Sequence, residues 1–169
     1  MTTLMIKTDR RILGENENNK VAPALQQSLT TLIDLALQLK QAHWNVVGKR
    51  FLSFHKQLDE IVETVRHRSD EIAERIATLS LPADGRSLTV AQDSKLEMFP
   101  MGRHLVKDTV TLIADRLKDS VTCLRESISE VGKIDPITED LLIQACGELE
   151  KHLWMVQSQE LEFSGEPTN

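Results

Sequence analysis

The 169-residue chain has no tyrosine, and phenylalanine and tryptophan bring the aromatic content to only 4%. Seven glycines and five prolines leave long stretches free of breakers, so long uninterrupted helices can form. The two cysteines, Cys123 and Cys146, make no CxxC pair. They read as reduced, packed thiols in a reducing compartment. No apolar run approaches the length of a membrane span, and the N-terminus lacks the core of a signal peptide. A cytoplasmic protein with no membrane partner is expected.

What is present is ordinary for one globular domain: 40% hydrophobic and 27% charged residues. The net charge of −6 disfavours a default nucleic-acid binder, because phosphate contacts need clustered lysine and arginine. An acidic chain suits the gathering of cations, and solubility alone also accounts for it.

Four amphipathic patterns run along the chain. In the first, Pro23 to Val47, Leu25, Leu29, Leu32, Ala36 and Leu39 recur at three- and four-residue steps. Pro23 suits a first turn and Gly48 a stop. The second runs from Arg50 to Ser80, with Phe54, Leu58, Ile61, Val65, Ile72 and Ile76 on its apolar stripe. The third spans Met101 to Val131, and the fourth Ile137 to Phe163. The connection from Leu81 to Pro100 holds a short helix near Thr89 to Ser94. A link of that length can cross a bundle from end to end. The fold class is accordingly all-α, a ferritin-like four-helix bundle with a short helix in the crossover. Residues 1–20 read as an N-terminal tail, 21–163 as the bundle and 164–169 as a C-terminal tail.

The second helix carries a polar stripe of His55, Asp59, Asp70 and Glu74 beside its apolar one. His55 and Asp59 are four apart, as are Asp70 and Glu74, so each pair shares a face. Imidazole and carboxylate suit iron, manganese or zinc. Such stripes are often only solvated faces, and Arg66 on the same stripe offers an ion-paired alternative. Spacing narrows the choice. Asp59 and Asp70 are three turns apart, about 16 Å along the axis at ~1.5 Å per residue. One helix therefore cannot bring both pairs to one metal, whose bonds are about 2.0–2.2 Å long. Two antiparallel copies about a two-fold near Thr64 and Val65 can, with Val62 packing across the contact. His43, at the end of the preceding helix, reaches toward His55. The site is then His43, His55 and Asp59 from one chain with Asp70 and Glu74 from the other, holding one metal ion, or two with shared carboxylates.

At these residues a family resemblance is specific. Lys40-Gln41-Ala42-His43-Trp44-Asn45-Val46, then Gly48, Phe51, His55, Leu58-Asp59, Asp70 and Ala73-Glu74-Arg75, resembles the hallmark segment of the Dps family (DNA-binding protein from starved cells). Weaker similarity continues to His152-Leu153-Trp154. The resemblance implies a dodecameric shell with iron sites at two-fold interfaces. It implies a ferroxidase that oxidises Fe(II) with hydrogen peroxide or oxygen and stores ferric mineral, suppressing oxidative damage. His43, His55, Asp59, Asp70 and Glu74 carry over as ligands of iron, singly or as a di-iron centre, for which other divalent metals can substitute. Trp44 matches the tryptophan beside the site, as a redox participant or a packed interfacial aromatic. Asp135 and Asp140 fall near a three-fold entry pore, or cap the last helix. Glu60 and Glu63 read as cavity-facing or simply solvated, and His67 and His104 as bystanders. DNA binding is weakly supported: Lys7, Arg10, Arg11 and Lys20 are opposed by Asp9, Glu15 and Glu17, and the other end carries Glu160, Glu162 and Glu166.

Overall fold

The computed structural model describes residues 11–160. In chain order these form α1 (Glu15–Asn45), β1 (Val46–Val47), α2 (Phe51–Thr78), α3 (Ser87–Asp93), β2 (His104–Leu105), α4 (Val106–Val131) and α5 (Pro136–Gln157). The four long helices are the four amphipathic patterns, and α3 is the short helix of the crossover.

Side-chain pairs give the directions of packing. Ser28 meets Ser127, Thr31 meets Cys123 and Gln38 meets Arg116, so α1 and α4 run antiparallel. Arg75 meets Thr138, Arg68 meets Glu148 and Gln57 meets Gln159, so α2 and α5 do the same. Because the short connection reverses α1 into α2, α2 and α4 must run parallel, and the long 79–103 segment exists to make that crossing. The core between the helices is leucine-rich: Leu25, Leu32, Leu35, Leu39, Leu58, Leu117 and Leu124 have no exposed area. On α2 the buried set is Phe54, Leu58, Ile61, Val62, Val65, Ile72 and Ile76, which turns the polar stripe outward.

Three boundaries differ from the pattern-based ones. Helix α1 begins at Glu15, so Pro23 lies inside it rather than in its first turn. The early start is held by Gly14 N–H donating to Glu17 Oε2 (2.9 Å) and by buried Asn18 donating to the Leu79 carbonyl (3.0 Å). Pro23 removes one helical hydrogen bond, but it sits on the exposed side, where water can reach the freed carbonyl of Asn19. Of the segment read as an N-terminal tail, residues 15–20 are thus helical, and residues 1–10 lie outside the described residues. Helix α5 is continuous only to Gln157, a turn following at 158–159, and Phe163 and the tail read at 164–169 lie outside the described residues. Finally, α4 starts at Val106 because His104 and Leu105 are drawn into a two-residue parallel bridge, Val46↔His104 and Val47↔Leu105. Gly48, at φ 104°, turns the chain out of this bridge toward α2.

Candidate metal centre

The site is built where α1 ends over the first turns of α2. His43 occupies the last turn of α1 and is 7% exposed. His55 lies in the second turn of α2. His43 Nδ1–H donates to the His55 carbonyl (3.1 Å), and His55 Nδ1–H donates to the His43 carbonyl (3.0 Å). The rings stack with centroids 3.6 Å apart and planes inclined by 25°. Carbonyl oxygens only accept, so these contacts assign the proton of each neutral ring to Nδ1 and leave Nε2 as the lone-pair nitrogen, the form a metal ligand requires. The Phe51 ring also neighbours His55, with centroids 5.0 Å apart and planes inclined by 42°.

Asp59 sits one turn beyond His55. Its Oδ1 accepts from Lys40 Nζ (2.8 Å) and lies 3.2 Å from His43 Nδ1. His43, His55 and Asp59 each offer one ligand atom within 4.8 Å of the others. Among the described residues they are the one histidine, cysteine or carboxylate group of three or more so gathered. Burial is the main influence on His43, pushing its pKa below the ordinary histidine value and favouring the neutral, ligand-competent ring. The hydrogen bond from Lys40 is the main influence on Asp59, holding its carboxyl below the usual range and therefore ionised.

Asp70 and Glu74 are exposed on the same outward stripe of α2 and are not part of this group. Arg66, the candidate for an ion-paired stripe, is exposed and forms no ion pair among the described residues. Trp44 is 68% exposed, with Lys40 Nζ 5.8 Å from its ring centroid.

The remaining candidates have other occupations. Asp135 is 4% exposed, accepting from Arg75 Nη2 (2.6 Å) and from the Thr138 hydroxyl. Its carboxylate is consumed within its own subunit at the start of α5. Asp140 is exposed and accepts from Gln144 (2.8 Å). Glu60 and Glu63 are exposed on α2. His67 is 3.5 Å from Glu71 across one helical turn. His104 lies in β2 with Nε2 3.2 Å from the Pro100 carbonyl.

Three residues beyond the predicted set contact the site or brace the helix that carries it. Lys40 contacts Asp59 directly; its position three residues before His43 was the available signal, since residues three apart share a helix face. Arg75, next to Glu74, carries no metal but ties α2 to α5 through Asp135 and Thr138 (Nε to Oγ1, 2.9 Å). Arg68 adds a bidentate pair to Glu148 (2.8 Å for both bonds) and a third bond to Glu71 (2.6 Å). The inner side of α2 is thereby braced while its outer side stays open.

Comparison with known proteins gives the family and the fold. Residues 22–162 match the family model of the ferritin-like domain. The DNA protection during starvation protein of Mycolicibacterium smegmatis is 37% identical over 153 residues, covering 90% of this chain and 83% of that protein. Its namesake in Agrobacterium fabrum is 32% identical, covering 94% and 96%. The fine tangled pili major subunit of Haemophilus ducreyi is 40% identical, covering 82% and 73%. Among solved structures, the tetragonal form of Mycobacterium smegmatis Dps superposes with a TM-score of 0.86 at 35% identity, covering 93% of this chain and 96% of that one. Dps92 of Deinococcus radiodurans gives 0.84 at 28% identity, covering 90% and 99%. With the bundle, the long crossover and the histidine pair all in place, the chain belongs to the Dps family of ferritin-like proteins.

Proposed function

We propose that this protein is a ferroxidase and iron store: a closed homo-oligomeric shell, of twelve subunits by family resemblance, that oxidises Fe(II) at sites shared by two-fold-related subunits. The observation that carries the reading is the convergence of His43, His55 and Asp59, with two imidazoles locked in the lone-pair-outward tautomer and one ionised carboxylate. Three N/O ligands on one subunit make half a site, and Asp70 and Glu74 of a second copy supply carboxylates that favour the ferric product.

Iron is the substrate here. Each Fe(II) gives one electron, and two such ions reduce one hydrogen peroxide to the level of water, so peroxide and ferrous iron are consumed together. Oxygen is the alternative acceptor. The protein holds the metal, keeps the ligands deprotonated and leaves positions open to the oxidant. Trp44, exposed beside Lys40, is placed to pack against a neighbouring subunit or to pass an electron. Asp140 remains a candidate for a cation-attracting pore, whereas Asp135, engaged by Arg75, is better read as a brace of α5.

Protection of DNA follows from this chemistry without contact, because removing ferrous iron and peroxide removes the source of hydroxyl radical. Direct DNA binding is the second reading, favoured by the names of the relatives. It would draw on the weakly basic residues 1–20. Native mass measurement of the purified protein, followed by Fe(II) and peroxide addition, tests the main reading. A shell that gains a soluble ferric core is expected; a monomer, or iron that precipitates as fast as in buffer, rejects it. A salt-sensitive plasmid shift lost on deleting residues 1–20 would establish the second.

A further inference from the structure

The ferroxidase reading leaves one charged side chain without a role. Lys40 Nζ lies 2.8 Å from Asp59 Oδ1, on the same oxygen that approaches His43. The lysine side chain is four-fifths covered, at 20% exposure, and passes the ring of Trp44 at 5.8 Å. Lys40, His43 and Trp44 share a face of α1, being three and four residues apart. A monovalent cation thus stands at the very carboxylate that a metal needs.

We propose that Lys40 is a tethered counter-cation at the metal site, so that a divalent ion binds by displacing the lysine ammonium from Asp59. The inference rests on the ferroxidase reading and concerns how that site admits metal. An ammonium hydrogen-bonded at 2.8 Å and a metal bonded to the same carboxylate at about 2.0–2.2 Å would be close enough to repel strongly. One of them must leave. Lysine can, because its charge rides on a flexible four-carbon stem that swings the ammonium toward water. The exchange keeps Asp59 ionised and oriented until metal arrives. It also sets a threshold: a cation that gains only Asp59 does not outcompete the tethered ammonium, whereas one that gains both imidazoles and the partner's carboxylates does. Selectivity then comes from the complete ligand set rather than from negative charge alone.

Cobalt(II), a redox-inert stand-in under these conditions, tests this by its visible absorption in titrations of the intact assembly. Lys40→Gln is expected to bind cobalt roughly fivefold more tightly than the unaltered protein, since a part-exposed ion pair no longer competes. Lys40→Met, which keeps an unbranched side chain of similar length without the charge, repeats the measurement should the glutamine variant assemble poorly. Lys40→Arg, whose planar fork grips a carboxylate more firmly, is expected to bind cobalt no better than the unaltered protein. Without metal, Lys40→Gln should melt at a lower temperature, and the difference should vanish at saturating cobalt. Equal or weaker cobalt binding by both neutral variants overturns the proposal, because Lys40 would then support Asp59 rather than compete for it. Asp59→Asn separates the two levels. If it abolishes the cobalt signal while the lysine variants change nothing, the displacement idea alone fails. If it titrates like the unaltered protein, metal never meets Asp59 and the ferroxidase reading falls with it.

Discussion

His43 and His55 hold each other: each ring donates from Nδ1 to the other residue's main-chain carbonyl, at 3.1 and 3.0 Å, across the junction of α1 and α2. Each is therefore both a candidate ligand and the device that orients its neighbour, so their contributions should not add. His43→Ala and His55→Ala are each expected to slow Fe(II) oxidation by at least about tenfold, the scale on which even outer-shell support of a metal matters. The double variant should be little worse than either single one. Initial rates of ferric absorbance after adding peroxide check this, and strictly multiplicative losses would contradict the mutual support.

The proposed two-chain site makes a sharper demand. Asp59→Asn and Asp70→Asn shells should each be slow, since every site in either has lost one ligand. Denatured together and reassembled, they should recover activity. A mixed dimer carries one site with both carboxylates intact and one with neither, so random pairing restores about a quarter of the sites. No recovery in shells shown by mass to be mixed would reject the shared site.

Arg75 and Asp135 give a prediction about stability rather than activity. Burial opposes the Asp135 charge, but Thr138 and Arg75 outweigh it and hold the carboxyl below its ordinary pKa. A depressed folded-state pKa means the pair's stabilisation is fully present above the unfolded value, about 3.9, and is lost as pH falls toward the folded one. Asp135→Asn should therefore flatten the acid limb of the thermal-stability curve below about pH 4. Arg75→Ala, which strands a buried carboxylate, should cost roughly 3–5 kcal/mol at neutral pH. Melting curves across pH check both; an unchanged acid limb in Asp135→Asn would contradict the assignment.

The thiols are expected to be quiet. Burial, with Glu150 adding to it, pushes Cys146 up to about 11. Burial likewise raises Cys123, whose Sγ lies 3.4 Å from the Thr31 hydroxyl. Few thiolates exist near pH 8, so iodoacetamide should leave both unmodified in the folded protein and label both after unfolding. Rapid labelling of the folded protein, read by mass, would show that α4 and α5 part more easily than their packing implies.

The apolar period of each long helix, the scarcity of glycine and proline, and the four-residue spacing of His55 and Asp59 are properties of the chain alone. They were enough for the bundle, its long crossover and the outward polar stripe. They missed the start of α1, because the bond from Asn18 to the Leu79 carbonyl joins residues far apart in sequence. They missed the β1–β2 bridge for the same reason: two residues per strand leave no alternation to read, and pairing Val46 with His104 depends on where the crossover lands. Asp135 does take the N-cap position of α5, one of the two roles read for it, but its ion partner, Arg75, was hidden because it sits on another helix. The sequence by itself determined which candidate ligand types are present and which share a helix face, because helical geometry is local. Only the tertiary structure decided that His43 and His55 set each other's tautomer and that Lys40 reaches Asp59, because those contacts exist only once α1 and α2 are folded side by side.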